Sequence, residues 1–185
     1  MPSIRFSSRI ETLVLLHGCV HGVSAGSVFY CKQAPPVGAA TAFADMRAAY
    51  DSLSTAQQTE LEQLEAVCSL HHHDTKIYRL TNGDQLPAQP LLTEEQRRGS
   101  PPTRHPLVLT HPETGRKALY GLNSSTCMIV PKGTPVTQEE IDEFDFSGRE
   151  DASCMIWRDL LQTVTTPEYA LLWQWTPGDL LLWVS

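Results

Sequence analysis

Positive charge is scarce in this chain. Its 14 Lys and Arg are outnumbered by 21 Asp and Glu, and the net charge is −7. Nucleic acid calls for a basic stripe, so that class of partner is not expected. Long apolar runs are missing as well, and none approaches the length of a membrane span. Leu13–Leu16, preceded by Arg5 and Arg9, is too short for the core of a signal peptide. No Cys-x-x-Cys pair occurs. The five cysteines, Cys19, Cys31, Cys68, Cys127 and Cys154, are scattered, which speaks against a zinc knuckle. An odd, dispersed set reads as reduced, mostly buried thiols, and the expected location is the cytoplasm. Internal repeats and low-complexity tracts are also absent.

What is present suits one globular domain. Of 185 residues, 41% are hydrophobic and 19% charged, enough for a sizeable core. Val28-Phe29-Tyr30 leans to β, and Pro35-Pro36 ends that run. Asp45 can cap a helix reaching about Leu53. Ser54, with Gln57 three residues on, has capping-box spacing and opens a second helix. Leu61, Leu64 and Cys68 would then share one face of it, with Glu60, Glu62 and Glu65 turned to water. Residues 74–105 read as a long excursion of Gly, Pro and polar side chains.

Farther on, Leu107–Thr110 and Ala118–Gly121 read as strands joined by the Pro112-Glu-Thr-Gly115 turn, with Arg116 and Lys117 solvated. Thr137 and Glu140 form another capping box, opening Gln138–Phe144. Ser153–Val164 is expected to be helical, with Ile156, Leu160 and Val164 on one face. The end reads as a hairpin, Tyr169–Trp175 and Leu180–Val184 about a Thr176-Pro-Gly-Asp179 turn. From the residues alone the class is α+β or mostly β. His71-His72-His73 has the look of a metal site, but adjacent side chains diverge on a helix or strand.

Three ordered segments carry a family resemblance. Residues 35–51, Pro-Pro-Val-Gly-Ala-Ala-Thr-Ala-Phe-Ala-Asp-Met-Arg-Ala-Ala-Tyr-Asp, resemble the "PPxGG(D/N)TxFxDMRAAYD" segment of the TauD/TfdA dioxygenases. Residues 104–120 resemble that family's "RHPLVRTHPxTGRKxLY". Residues 173–183 resemble its "W-x-x-GDLLxWDN". The resemblance implies a mostly β fold with helices, a double-stranded β-helix of jelly-roll type, here expected to be incomplete. It divides the chain into a divergent amino-terminal segment, 1–26, and a TauD/TfdA-like domain, 27–185, lacking its carboxy-terminal part.

The implied activity is an Fe(II)- and 2-oxoglutarate-dependent dioxygenase, an oxidoreductase that hydroxylates a small, anionic organic substrate. Such iron needs two His and one carboxylate on one face of the metal. The family provides His-x-Asp early and a His late. Counting back from Thr41 by the family spacing lands near Val14 and Leu16, which cannot ligate iron. His17 and His21 lie nearby as candidate ligands, each without an Asp two residues on; the alternative is loop histidines with no metal role. After Trp183 come Val184 and Ser185, where the family has Asp-Asn, then the late His and an Arg for 2-oxoglutarate. Iron and 2-oxoglutarate are thus the implied cofactors, and this chain is not expected to retain them. The competing expectation is a truncated, catalytically inactive paralogue acting as a binding module or without function. Thr41 matches the family Thr whose hydroxyl contacts 2-oxoglutarate, although Ala39-Ala40 replace the Gly-Asp/Asn before it. A strand Thr satisfied by a neighbouring carbonyl is the plainer alternative. The catalytic residues are unknown from sequence. Expected partners are a small-molecule substrate and a second copy of the chain, with neither nucleic acid nor membrane.

Overall fold

The computed structural model describes residues 27–143 and 152–183. Two short antiparallel ladders bring the ends of this region together. Strand β1 (Ser27–Tyr30) pairs with β9 (Leu180–Trp183), and β2 (Thr41–Ala44) pairs with β8 (Ala170–Trp173). The pairing is nested: the first strand meets the last and the second meets the last but one. β8 and β9 therefore do not form the expected terminal hairpin. The Thr176–Asp179 turn carries the chain from one ladder to the other, because each strand finds a long-range partner instead of its neighbour.

Everything from Asp45 to Tyr169 is inserted between β2 and β8. Its two ends are tied together, since Asp45 N–H donates to the Tyr169 carbonyl at 2.8 Å. Asp45 also caps α1 (Met46–Asp51), its Oδ1 accepting from Arg47 N at 3.1 Å and Ala48 N at 2.9 Å. Those amides have no partner within the helix, which is why an acidic side chain suits this position. Helix α2 (Thr55–Leu61) begins on the expected Ser54/Gln57 capping box.

Beyond Leu61 the expected helix does not continue. Leu64–Cys68 is strand β3, flanked by β4 (Thr103–Pro106) and β7 (Thr126–Pro131) in the order β4-β3-β7. The Leu61, Leu64, Cys68 spacing fits a helix by coincidence. Paired on both sides, β3 alternates in the manner of a central strand: Leu64, Ala66 and Cys68 join one apolar cluster, and Val67 joins another. Its acids are not simply wet either. Glu65 pairs with Arg104 at 3.0 Å.

The first cluster is the main core. Ala49 and Tyr50 of α1, Leu107, Leu119, Ile129, and Leu160 and Val164 meet there. Leu107 is fully buried between β4 and β5 (Val108–Thr110). Burying a side chain of that size stabilises a fold by about 1.5–3 kcal/mol. β5 pairs with β6 (Lys117–Leu119) across the expected Pro112–Gly115 turn, and α1 packs on β6. Lys117 remains partly solvated, its side chain 38% exposed, and its Nζ also meets Glu62 Oε1 at 2.7 Å.

The second cluster holds Val67, Cys127, Met128 and Ile141. It lies beneath α5 (Gln138–Glu143), which opens on the expected Thr137/Glu140 box. The final helix, α6 (Ala152–Val164), buries Cys154, Leu160 and Val164. The expected excursion over 74–105 is partly helical, comprising most of α3 (Leu70–Thr81) and all of α4 (Glu94–Gly99). Ser69 and Thr93 cap them through side-chain oxygens, and local capping of this kind is what turns polar sequence into helix.

Candidate functional site

Thr41 opens β2 opposite Trp173. It is 5% exposed, so its hydroxyl must find partners inside the protein or in a ligand. One partner is Trp175, whose indole Nε1–H donates to Thr41 Oγ1 at 2.8 Å. Among the described residues no carbonyl accepts from the Thr41 hydroxyl. A threonine hydroxyl has one hydrogen to donate and two lone pairs. Trp175 occupies a lone pair, and among the described residues no side chain or backbone group takes the hydrogen.

The loop that delivers Trp175 is held at several points. Asp179 Oδ2 accepts from Thr176 N at 2.9 Å and from Trp173 Nε1 at 3.2 Å, closing the turn on itself. Cys31 N–H donates to the Asp179 carbonyl, and Gly178 N–H donates to the Cys31 carbonyl, both at 2.9 Å. Gln174 Nε2 donates to the Gly38 carbonyl at 2.8 Å. The ring of Trp175 lies 6.4 Å from that of Phe29, tilted by 56°. The Gly-Asp of this segment thus serves the turn, and the turn presents Trp175.

An open depression of about 460 Å³ lies beside Trp175, lined by Pro35, Pro36, Gly38, Gln174 and Pro177 among others. Gly38 and Ala39 both have positive φ, 87° and 56°. The turn before Thr41 is therefore left-handed at both residues, although Ala39 has a Cβ that disfavours it.

The histidine triplet sits at the start of α3 and does not converge. Burial lowers the pKa of His71, assisted by the Arg97 charge, while His73 Nδ1 faces Asp74 Oδ1 at 3.0 Å. His105 is buried against Thr103, Nε2 to Oγ1 3.1 Å, with its ring edge-on to Tyr120. His111 Nδ1 accepts from the amides of Glu113 and Thr114, which makes it part of the turn. The segment 121–125 is largely an interior turn: Asn123 and Ser125 are buried, and Ser125 N–H donates to Asn123 Oδ1 at 2.8 Å.

Cys31, Cys68, Cys127 and Cys154 are buried free thiols. Burial pushes the Cys127 pKa up to about 12, so no nucleophilic thiolate forms there at neutral pH.

Among the described residues, no three His, Cys, Asp or Glu side chains gather closely enough to hold a metal ion. The described part therefore does not fit iron. His17 and His21 lie outside the described residues. The co-substrate fits better, because the free hydrogen of the Thr41 hydroxyl suits a carboxylate oxygen. Sequence reasoning named Thr41 as a candidate and did not connect it with Trp175, which lies 134 positions away. The sequence signal at Trp175 is its place as the first residue of the W-x-x-Gly-Asp segment ending at Asp179. Among the described residues no helix is long and apolar enough to cross a membrane.

Comparison with known proteins places these features. Residues 19–184 match the model of the family described as "Taurine catabolism dioxygenase TauD, TfdA family". The alpha-ketoglutarate-dependent 2,4-dichlorophenoxyacetate dioxygenase of Cupriavidus pinatubonensis is 35% identical over 150 residues, covering 80% of this chain and 42% of that protein. The (S)-phenoxypropionate/alpha-ketoglutarate-dioxygenase of Sphingobium herbicidovorans is 32% identical over 158 residues, covering 85% and 48%. The chain thus spans less than half the length of these two relatives. Among solved structures, AAD-2 in complex with Mn(II) and N-oxalylglycine superposes with a TM-score of 0.63 at 25% identity, covering 95% of this chain and 57% of that one. The fold is accordingly that of the TauD-like dioxygenases, strand-rich with helices and of jelly-roll type. With residues 19–184, nearly the whole of this chain, matched by the family model, and three characteristic segments in order, the chain belongs to the TauD/TfdA family.

Proposed function

We propose that this chain contributes the co-substrate side of a 2-oxoglutarate-dependent dioxygenase acting on a small, anionic organic molecule. The observation that carries the reading is Thr41. Its hydroxyl is buried, held from one side by Trp175, and among the described residues no group takes its hydrogen. A 2-oxoglutarate carboxylate is an acceptor of the right kind, and a bond to a charged oxygen is among the stronger hydrogen bonds. The relatives support the substrate class, since two of them are named for aryloxyalkanoic acids. The buried free thiols suit a reducing compartment such as the cytoplasm.

A second reading is a binding module that takes up 2-oxoglutarate, or a similar dicarboxylate, without iron. It is favoured by the lack of a three-ligand group among the described residues. One experiment separates the two. The full chain is titrated anaerobically with Fe(II), freed of excess metal and analysed. It is then supplied with 2-oxoglutarate and oxygen while succinate is measured. Stoichiometric iron with succinate formation supports the dioxygenase. Binding of 2-oxoglutarate with neither iron nor succinate supports the module. No binding of 2-oxoglutarate under either condition refutes both.

A further inference from the structure

We propose that Trp175 is a positioning residue for the co-substrate: its indole N–H biases the Thr41 hydroxyl toward donating its hydrogen and so favours a carboxylate as the group that Thr41 meets. The inference rests on the reading of Thr41 as a contact to 2-oxoglutarate, and adds a residue through which that contact is set.

Without Trp175 a threonine hydroxyl can turn. It can donate, or it can accept from any ligand or water N–H or O–H. The Trp175 Nε1–H, 2.8 Å from Oγ1, removes part of that freedom. It occupies a lone pair on the indole side and leaves the hydrogen to point elsewhere. An oxygen that already accepts a hydrogen bond is also a stronger donor, because bonds in a chain polarise one another. The pair therefore leans to donation, with one lone pair on Oγ1 still open, and this suits a carboxylate better than a neutral donor such as an alcohol or amide N–H.

The indole can do this only if it does not drift. Gln174 is tied to Gly38, and Asp179 gathers Thr176 and Trp173. The Asp179 backbone is tied to Cys31. These bonds fix the loop on both sides of Trp175, and Phe29 lies against its ring. Thr41 is fixed in turn by the β2–β8 ladder. Two separately anchored elements thus meet at one hydrogen bond.

The test is a double-mutant cycle on 2-oxoglutarate binding by the full chain, read by calorimetry or saturation-transfer NMR. Its variants are Thr41→Val, Trp175→Phe and the two together. A fourth protein carries benzothienylalanine at position 175, which keeps the indole shape and deletes the N–H. It gives the answer if Trp175→Phe disturbs folding, and thermal melts report on folding throughout. We expect each single variant to weaken binding, Trp175→Phe by about three- to tenfold. The double variant should bind no more weakly than Thr41→Val alone, because Trp175 acts only through Thr41. The benzothienyl protein should behave like Trp175→Phe while melting like the wild type. If Thr41→Val weakens binding but the benzothienyl protein binds normally, the positioning role is refuted and the reading of Thr41 stands. Additive effects would likewise refute it, since Trp175 would then act by another route. Absence of 2-oxoglutarate binding by the wild type, or indifference to Thr41→Val, would overturn both.

Discussion

Tyr50 donates its phenolic hydrogen to Glu62 Oε1 at 2.6 Å, and the same oxygen receives Lys117 Nζ at 2.7 Å. One carboxylate oxygen thereby joins α1, the end of α2 and β6. The Lys117 ammonium, and then the Tyr50 hydroxyl, hold the Glu62 pKa below its usual 4.5. A carboxylate of lowered pKa adds stability above its unfolded pKa and loses it as pH falls through the folded value. Burial first, and then Glu62, raise the Tyr50 pKa from 10.0 to about 12. The folded state then keeps a proton that the unfolded state releases, so stability falls as pH rises between those values. Urea melts across pH should show both limbs in the wild type. Glu62→Gln should flatten the acid limb and Tyr50→Phe the alkaline one. Unchanged limbs would show that the network adds nothing to stability.

Gly121→Ala should be costly. Gly121 has φ of 74°, and a Cβ there would meet the Ala66 Cβ at 3.0 Å within the core. The left-handed backbone and the overpacking each cost about 1–2 kcal/mol. A loss of at least about 2 kcal/mol in the urea midpoint analysis is expected. A change below about 0.5 kcal/mol would mean that β3 yields more easily than its pairing on both sides implies.

Ala39→Gly should go the other way. Ala39 has φ of 56°, where an L side chain is disfavoured and glycine is not. Relief of that strain is offset in part by the greater freedom of glycine in the unfolded chain. A gain of about 0.5–1 kcal/mol in a thermal melt is expected, and a loss would show that the turn before Thr41 is not strained.

Association should follow from the outer face of the β1–β9 ladder. Val28 pairs with Leu182 and Tyr30 with Leu180, and all four side chains are more than half exposed. Grouped apolar side chains on a short ladder favour self-association. Replacing Leu180 and Leu182 with Lys should shift size-exclusion elution toward the monomer at the same melting temperature. Elution that does not change would show that this face stays free.

Local signals carried most of what was legible in the sequence. Asp45, Ser54 with Gln57, and Thr137 with Glu140 cap helices as their spacing implied, because a cap depends on residues three positions apart. The Pro112–Gly115 turn was visible for the same reason. β3 was not, since helical spacing and strand alternation coincide over five residues and only pairing with β4 and β7 decides between them. β7 went unread because four buried or partly buried apolar side chains, Cys127 to Val130, show no alternation when both faces are covered. The terminal segments looked like a hairpin because their true partners lie more than a hundred residues upstream. The site followed the same pattern. Thr41 became a candidate through family resemblance, whereas the Trp175 hydrogen bond exists only once β2 and β8 are paired.

The central claim is that the Thr41 hydroxyl receives 2-oxoglutarate. Calorimetric titration of the full chain with 2-oxoglutarate, wild type against Thr41→Val, tests it most directly. Removing a donor to a charged oxygen should weaken binding by roughly tenfold or more while the fold persists. Equal affinity in the two proteins, or none in the wild type, would contradict the account.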